Sequence, residues 1–143
     1  HLLLQAYAET DQLLPLVLVG QGGLQAECEA LAKQLGISDK VFFVGFHSNP
    51  YPWIASATGM VLSSIYEGFG IVIAEALALD VPVISTDCES GPAEILPSNN
   101  LIPVNDADAL AEKIMHHPAY FSHPFNEKLL PKSVAQRYLN LVS

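Results

Sequence analysis

The stretch SSIYEGFGIVIAEALALDVPVIS, Ser63 to Ser85, decides the fold. It follows the apolar run Met60-Val61-Leu62 and closes on Val81 to Ser85 (VPVIS). Between them lie a glycine turn and a helix from Gly70 to Leu79. Strand, tight turn, helix and strand make one parallel crossover unit. The helix reads IVIAEALAL from Ile71 to Leu79, eight apolar residues around Glu75. A carboxylate in that setting is partly buried, and it is costly unless hydrogen-bonded or paired. No lysine or arginine lies between Lys40 and Lys113, so its partner is something other than a cation nearby in sequence.

The same alternation extends outward in both directions. Leu16 to Val19 (LVLV) ends at Gly20 and suits a buried parallel strand, apolar on both faces. Leu24 to Leu35 has helical spacing and stops at Gly36, a natural C-terminal cap. Val41 to Val44 (VFFV) is a second strand, and Pro52 to Ala57 a short helix. Gly59 to Ser63 holds the third strand and Val81 to Ser85 the fourth. Pro92 to Leu96 is a helical turn, and Leu101 to Val104 a weak fifth strand. Asp106 to His116 is a helix capped by Asp106 or Asn105 and ended by Pro118. Pro118 to Pro131 is an irregular connection, and a last helix runs from about Ser133 to Leu141. The expected fold is α/β, a Rossmann-like doubly wound parallel sheet sandwiched by helices. Ligands of such sheets bind outside the carboxyl ends of the strands. The loops to inspect are Gly20–Gly23, Gly45–Asn49, Ser63–Gly70 and Thr86–Gly91.

Composition narrows the function. The 143 residues suit one domain, and half are hydrophobic. No uninterrupted apolar run approaches the roughly 20 residues of a membrane span. No secretory signal pattern is present. The chain opens on HLLLQAYAE, inside an amphipathic helix, as expected of a piece cut from a longer protein. Net charge is −9 with six basic residues, which argues against nucleic acid and against a polybasic membrane patch. Cys28 and Cys88 make no disulfide framework and read as reduced thiols of a cytosolic protein.

Glu67-Gly68-Phe69-Gly70 places two glycines around an aromatic between strand and helix. The N–H groups of Gly68 to Ile71 are then free to meet an anion at the helix start. The plainer reading is a turn that simply uses glycine. Glu75 sits about one and a half turns into the helix, and its side chain leans back toward the turn. Both carboxylates then border one cleft, and an unpaired carboxylate is suited to the hydroxyl pairs of a sugar. The plainer reading leaves Glu75 in solvent or capping nearby backbone. His116, His117 and His123 match no standard zinc spacing and read as surface histidines. Ser85-Thr86-Asp87 has no nucleophile-elbow sequence. Cys88 has no activating neighbour in sequence. Trp53 reads as core or cleft edge.

Three segments together, S-x-Y-E-G-F-G-x-x-x-x-E-A-L-A, P-V-I-S-T-D and S-G-P-A-E-I-L, carry a resemblance. With LVLVGQG at Leu16–Gly22, VFFVGF-x-x-NPY at Val41–Tyr51 and the late VNDADALAEKI, it covers nearly the whole chain. The sequence resembles the donor-binding C-terminal domain of family 4 (group 1) retaining glycosyltransferases of GT-B fold. It is especially similar to bacterial enzymes of lipopolysaccharide and capsule synthesis. The resemblance implies that residues 1–143 are one nucleotide-sugar-binding domain, half of a GT-B fold with its first strand missing. It implies a motif of two glutamates, Glu67 and Glu75. Glu75 accepts hydrogen bonds from the ribose 2′ and 3′ hydroxyls of a nucleotide sugar. Glu67, the catalytic candidate, contacts hydroxyls of the transferred sugar. The amides of Gly68, Phe69, Gly70 and Ile71 face sugar hydroxyls and diphosphate. Phe46 and His47 lie near the nucleobase, and Gly20 and Gly22 line the opposite wall. Gly91, Pro92 and Glu94 are structural, next to the cleft.

The implied reaction moves a hexose or N-acetylhexosamine from a UDP-sugar to a saccharide or lipid-linked saccharide acceptor. No cofactor or metal is implied. The implied location is cytoplasmic, peripheral at the inner membrane face in the full protein. The resemblance also implies an Arg and Lys pair for the diphosphate just after the domain's first strand, and an acceptor-binding N-terminal domain. None of the six cations here fits that pair by position, and the isolated chain is expected to bind nucleotide weakly and be inactive. Asp80 stands where the family has glycine, at a helix end that Asp tolerates. Two other readings stay open: a non-catalytic sugar-nucleotide or structural module of the same fold, and a dinucleotide-dependent oxidoreductase. The latter rests on Gly20-Gln21-Gly22-Gly23, which has Gln25 where the third glycine belongs.

Overall fold

A computed structural model describes residues 1–68, 70–116 and 121–124. The expected last helix at Ser133–Leu141, most of the Pro118–Pro131 connection and Phe69 lie outside the described residues. Helices and strands alternate throughout: α1 (Leu2–Ala8), β1 (Leu16–Val19), α2 (Gln25–Gln34), β2 (Val41–Gly45), α3 (Tyr51–Ala55), β3 (Met60–Leu62), α4 (Ile71–Ala78), β4 (Val83–Thr86), α5 (Pro92–Ile95), β5 (Leu101–Ile102) and α6 (Ala107–Met115). A 3₁₀ turn, Ser98–Asn100, precedes β5.

Every strand pairing is parallel, as the apolar runs require. The strands form two ladders, β1-β2 and β3-β4-β5, rather than one continuous sheet. Leu16 pairs with Val41 and Leu18 with Phe43, and the register then shifts so that Val19 faces Gly45. Met60 pairs with Val83, and Ser85 with Leu101. β4, flanked on both edges, is buried along its whole length. β1 departs from the expectation of a buried strand: Val17 and Val19 are 38% and 40% exposed. The physical reason is that β1 has a neighbour on one edge alone.

Three apolar clusters hold the halves. Ile73, Ala76 and Leu77 of α4 pack with Val83 and with Ile95 of α5. Ala6 of α1 and Leu110 and Ala111 of α6 pack on the opposite face with Ile84, Ile102 and Phe121. Leu4 and Tyr7 of α1 pack with Ala32, Ile37 and Val41. Each fully buried large aliphatic contributes about 1.5–3 kcal/mol. The helix ends obey local chemistry. Gly36, at φ 72°, follows α2 and is joined by bonds from Ile37 N–H to Ala32 O and from Gly36 N–H to Lys33 O. α4 closes in the same way, with Asp80 at φ 58° and bonds from Val81 N–H to Ala76 O and from Asp80 N–H to Leu77 O. The Asp106 carboxylate caps α6 by accepting from Ala109 N–H at 2.9 Å. No helix among the described residues is long and apolar enough to cross a membrane.

Candidate functional site

Within each ladder the strands run parallel, so the loops after β1 and β2 share one end, as do those after β3 and β4; the hydrogen bond from Tyr51, after β2, to Glu75, after β3, brings the two sets together. The loop after β3 carries Glu67 and is held from two directions. The Thr86 hydroxyl at the end of β4 donates to the carbonyl of Ser64. Tyr66 forms an isolated parallel bridge with Glu89. Ser64 then donates its hydroxyl to Glu67 Oε1 at 2.6 Å. Glu67 is half-buried, with one carboxylate oxygen engaged and its position fixed by its own loop.

Gly70 caps α4 at φ 69° and ψ 42°, in the left-handed region, and no side chain caps that helix start. A Cβ here would meet Ile73 Cδ1 at 3.1 Å, so both backbone and space demand glycine. Gly68 is different: a Cβ there meets nothing within 4 Å, which leaves its surface open to a ligand. Ile71 is 65% exposed at the same corner. The first turn of α4 thus presents N–H donors and the positive end of the helix dipole to an open surface.

Glu75 is half-buried on α4, as its apolar neighbours required. Its partner is the Tyr51 hydroxyl, which donates to Oε1 at 3.0 Å. Sequence reasoning did not find Tyr51. The contact joins residues 24 apart, and nothing local to either marks it. That bond, and next the negative charge of Glu75, raise the Tyr51 phenol above its ordinary pKa. Ser64, the partner of Glu67, was also missed, although its three-residue spacing is a turn-length signal.

Phe46 is exposed after β2, and His47 Nε2 lies 3.2 Å from Val44 O. The His47 ring lies 5.3 Å from that of Trp53, tilted by 53°. Trp53, 37% exposed, is at an edge rather than in the core, and its ring pairs with His47 while Phe46 stands exposed next to His47 in sequence. Gly20, at φ 135°, and Gly22 are open to solvent after β1. Gly91 (φ 89°) and Pro92 are buried at the start of α5, whereas Glu94 is exposed on it. Cys88 is buried and free. Among the described residues no three His, Cys, Asp or Glu side chains gather as metal ligands. Lys33 and Lys113 lie in the last turns of α2 and α6, and Lys40 just before β2. All three are at the amino end of the strands, away from the loop cluster. The arrangement can accept hydrogen bonds from hydroxyls and donate them from backbone to an anion.

The family profile described as "Glycosyl transferases group 1" matches residues 1–116. The chain belongs to that family. An N-acetylgalactosaminyltransferase of Campylobacter jejuni acting on a diphospho-undecaprenol-linked sugar is 40% identical to the glycosyltransferase chain over 94 residues. That match spans 66% of this chain and 26% of the relative. The lipopolysaccharide 1,6-galactosyltransferase of Escherichia coli K12 is 30% identical over 132 residues, 86% of this chain and 36% of the relative. The chain thus spans about a quarter to a third of the curated relatives it matches. Among solved structures, the apo galactosyltransferase WaaB superposes with a TM-score of 0.87 at 24% identity, covering 99% of this chain and 43% of that one. Anabaena Alr3699/HepE in complex with UDP gives 0.77 at 22% identity, covering 98% and 44%. These superpositions show the Rossmann-like architecture of the GT-B glycosyltransferases.

Proposed function

We propose that this glycosyltransferase chain binds the nucleotide-sugar donor of a retaining enzyme of lipopolysaccharide or polysaccharide synthesis. The donor is a UDP-sugar, and the group moved is a hexose or N-acetylhexosamine. The observation that carries the reading is Glu75: a half-buried carboxylate partnered by a tyrosine hydroxyl instead of a cation. Such a carboxylate keeps Oε2 and a lone pair on Oε1 for a ligand diol, here the ribose hydroxyls. The uncapped start of α4 supplies donors for the diphosphate, and Gly68 lets the ligand approach the backbone. Glu67, fixed by Ser64, is placed to accept a hydroxyl of the transferred sugar. Phe46, with the His47–Trp53 pair, offers apolar surface for the base.

Transfer on one face of the sugar leaves negative charge on the departing diphosphate. Amides already aimed at that charge stabilise it without reorganising. The acceptor, a saccharide or lipid-linked saccharide, is bound by polypeptide beyond this chain. In the full-length protein the products of UDP-sugar turnover test the reading. The account expects the anomeric configuration of the donor in the product, read by proton NMR. It expects Glu75→Gln to raise the donor KM by about 10- to 100-fold, the worth of one charged hydrogen bond. Inversion of the anomer, or an unchanged KM, would overturn it.

A further inference from the structure

α3 is a helix of five residues, too short to hold a side chain in place by itself. Its sequence supplies the stiffness. Pro50 and Pro52 stand on either side of Tyr51 and fix the backbone at the helix start. Asn49 Oδ1 accepts from Tyr51 N–H at 3.2 Å, and the N–H groups of Trp53 and Ile54 both donate to Pro50 O. Ser56 closes the far end, its hydroxyl donating to Pro52 O at 2.6 Å. Ile54 packs against the cluster that contains Ile73, Ala76 and Leu77 of α4. Residues three apart share a helix face, so Tyr51 lies one turn before Ile54 on the side turned to α4. Its hydroxyl reaches Glu75 Oε1 from there. Tyr51 is 46% exposed and Glu75 half-buried. A hydrogen bond so open to water adds little to the fold, because water replaces it readily. What it does set is the direction of the carboxylate.

We propose that Tyr51 is a positioning residue for Glu75 and sets the preference of the site for an intact ribose diol. This inference rests on the donor-site reading above. Among the described residues no cation pairs with Glu75. A lysine or arginine there would engage the carboxylate by charge and weaken it as an acceptor. A tyrosine hydroxyl is neutral. It takes one lone pair on Oε1 and leaves the negative charge, and both lone pairs of Oε2, for a ligand. Left alone, a glutamate carboxylate turns about its last torsion with a broad, roughly two-fold profile. A donor carried on a second helix removes that freedom. The carboxylate then waits in one plane for two hydroxyls on adjacent carbons. Acceptors ordered beforehand lose less entropy when the ligand arrives. Tyr51 thus acts on the diol contact alone and leaves base and diphosphate contacts untouched.

NMR titration of the chain with UDP and with 2′,3′-dideoxy-UDP tests this, with affinities read from the initial slopes of the shifts. The parent should prefer UDP by about 10- to 100-fold, the worth of one charged hydrogen bond. Tyr51→Phe should cut that preference by about fivefold or more and leave the affinity for the dideoxy ligand within about twofold. In a Glu75→Gln background the same substitution should change the preference no further, because the two residues act through one contact. Equal weakening of both ligands by Tyr51→Phe would make Tyr51 a structural residue and overturn the proposal. A parent that binds both ligands alike would overturn the donor-site reading and this inference with it. A preference that is lost in Glu75→Gln but kept in Tyr51→Phe would overturn this inference alone.

Discussion

Gly70→Ala tests the corner on which the candidate site is built. Gly70 holds φ 69° and ψ 42°. An alanine in that left-handed well costs about 1–2 kcal/mol relative to its preferred regions. Its Cβ would also come to 3.1 Å from Ile73 Cδ1 and 3.8 Å from Ile95 Cδ1. Ile73 is fully buried, so its side-chain end yields by a few tenths of an ångström against packed neighbours. The usual gain from removing glycine's unfolded-state freedom, about 0.4–1 kcal/mol, arises where the native backbone suits the new residue. Here it offsets only part of the cost. The expected net loss is about 1–2 kcal/mol, which lowers the urea midpoint by roughly 1 M at a typical slope for a chain of this size. Gly68→Ala is the matched control. It has open space around its Cβ and should stay within about 0.5 kcal/mol of the parent. Equilibrium urea unfolding, followed by circular dichroism, reads both. A Gly70→Ala chain as stable as the parent, or an equal loss in Gly68→Ala, would refute the reasoning.

Other outcomes follow from single contacts. The Tyr51 phenol should titrate above its usual value because its hydroxyl donates to Glu75 and faces that charge. Since the folded pKa is raised, this contribution to stability is present below the unfolded pKa near 10 and lost as pH rises through the folded value; ultraviolet titration should show the midpoint fall in Glu75→Gln, and an unmoved midpoint counts against the contact. Asn100→Ala should cost about 2–3 kcal/mol in urea unfolding, because its buried amide bridges Val83 O and Phe121 O at 2.8 Å each; a loss below half of that would mean the two carbonyls find other partners. Asp80→Gly should stabilise the chain by about 0.5–1 kcal/mol by relieving a left-handed non-glycine residue, and a drop in the unfolding midpoint would contradict this.

The alternation of apolar runs with glycine and proline stops placed the described strands and α-helices, though not the 3₁₀ turn at Ser98–Asn100. Asp80 shows the same logic at one residue: its helix-end position predicted a tolerated left-handed turn, and its φ is 58°. Two things were not legible. The split into two ladders depends on which strand edges find neighbours, and a strand's own residues do not state that. The partners of the two glutamates were hidden for different reasons. Tyr51 reaches Glu75 across 24 residues through the packing of α3 beside α4. Thr86 and Glu89 hold the Glu67 loop only because β4 lies next to β3. The half-burial of Glu75 could be read from its apolar neighbours, whereas the group that satisfies it could not.

The central claim is that Glu75 receives a nucleotide diol. Its most direct test is an NMR titration of the chain, up to millimolar ligand, with UDP, UDP-glucose, GDP and NAD, repeated on Glu75→Ala. The account predicts shifts at Gly68, Ile71 and Tyr51 with UDP and UDP-glucose, weakened by about tenfold or more in the variant. Binding of NAD alone, no shifts with any uridine ligand, or UDP binding that ignores the loss of Glu75 would contradict it.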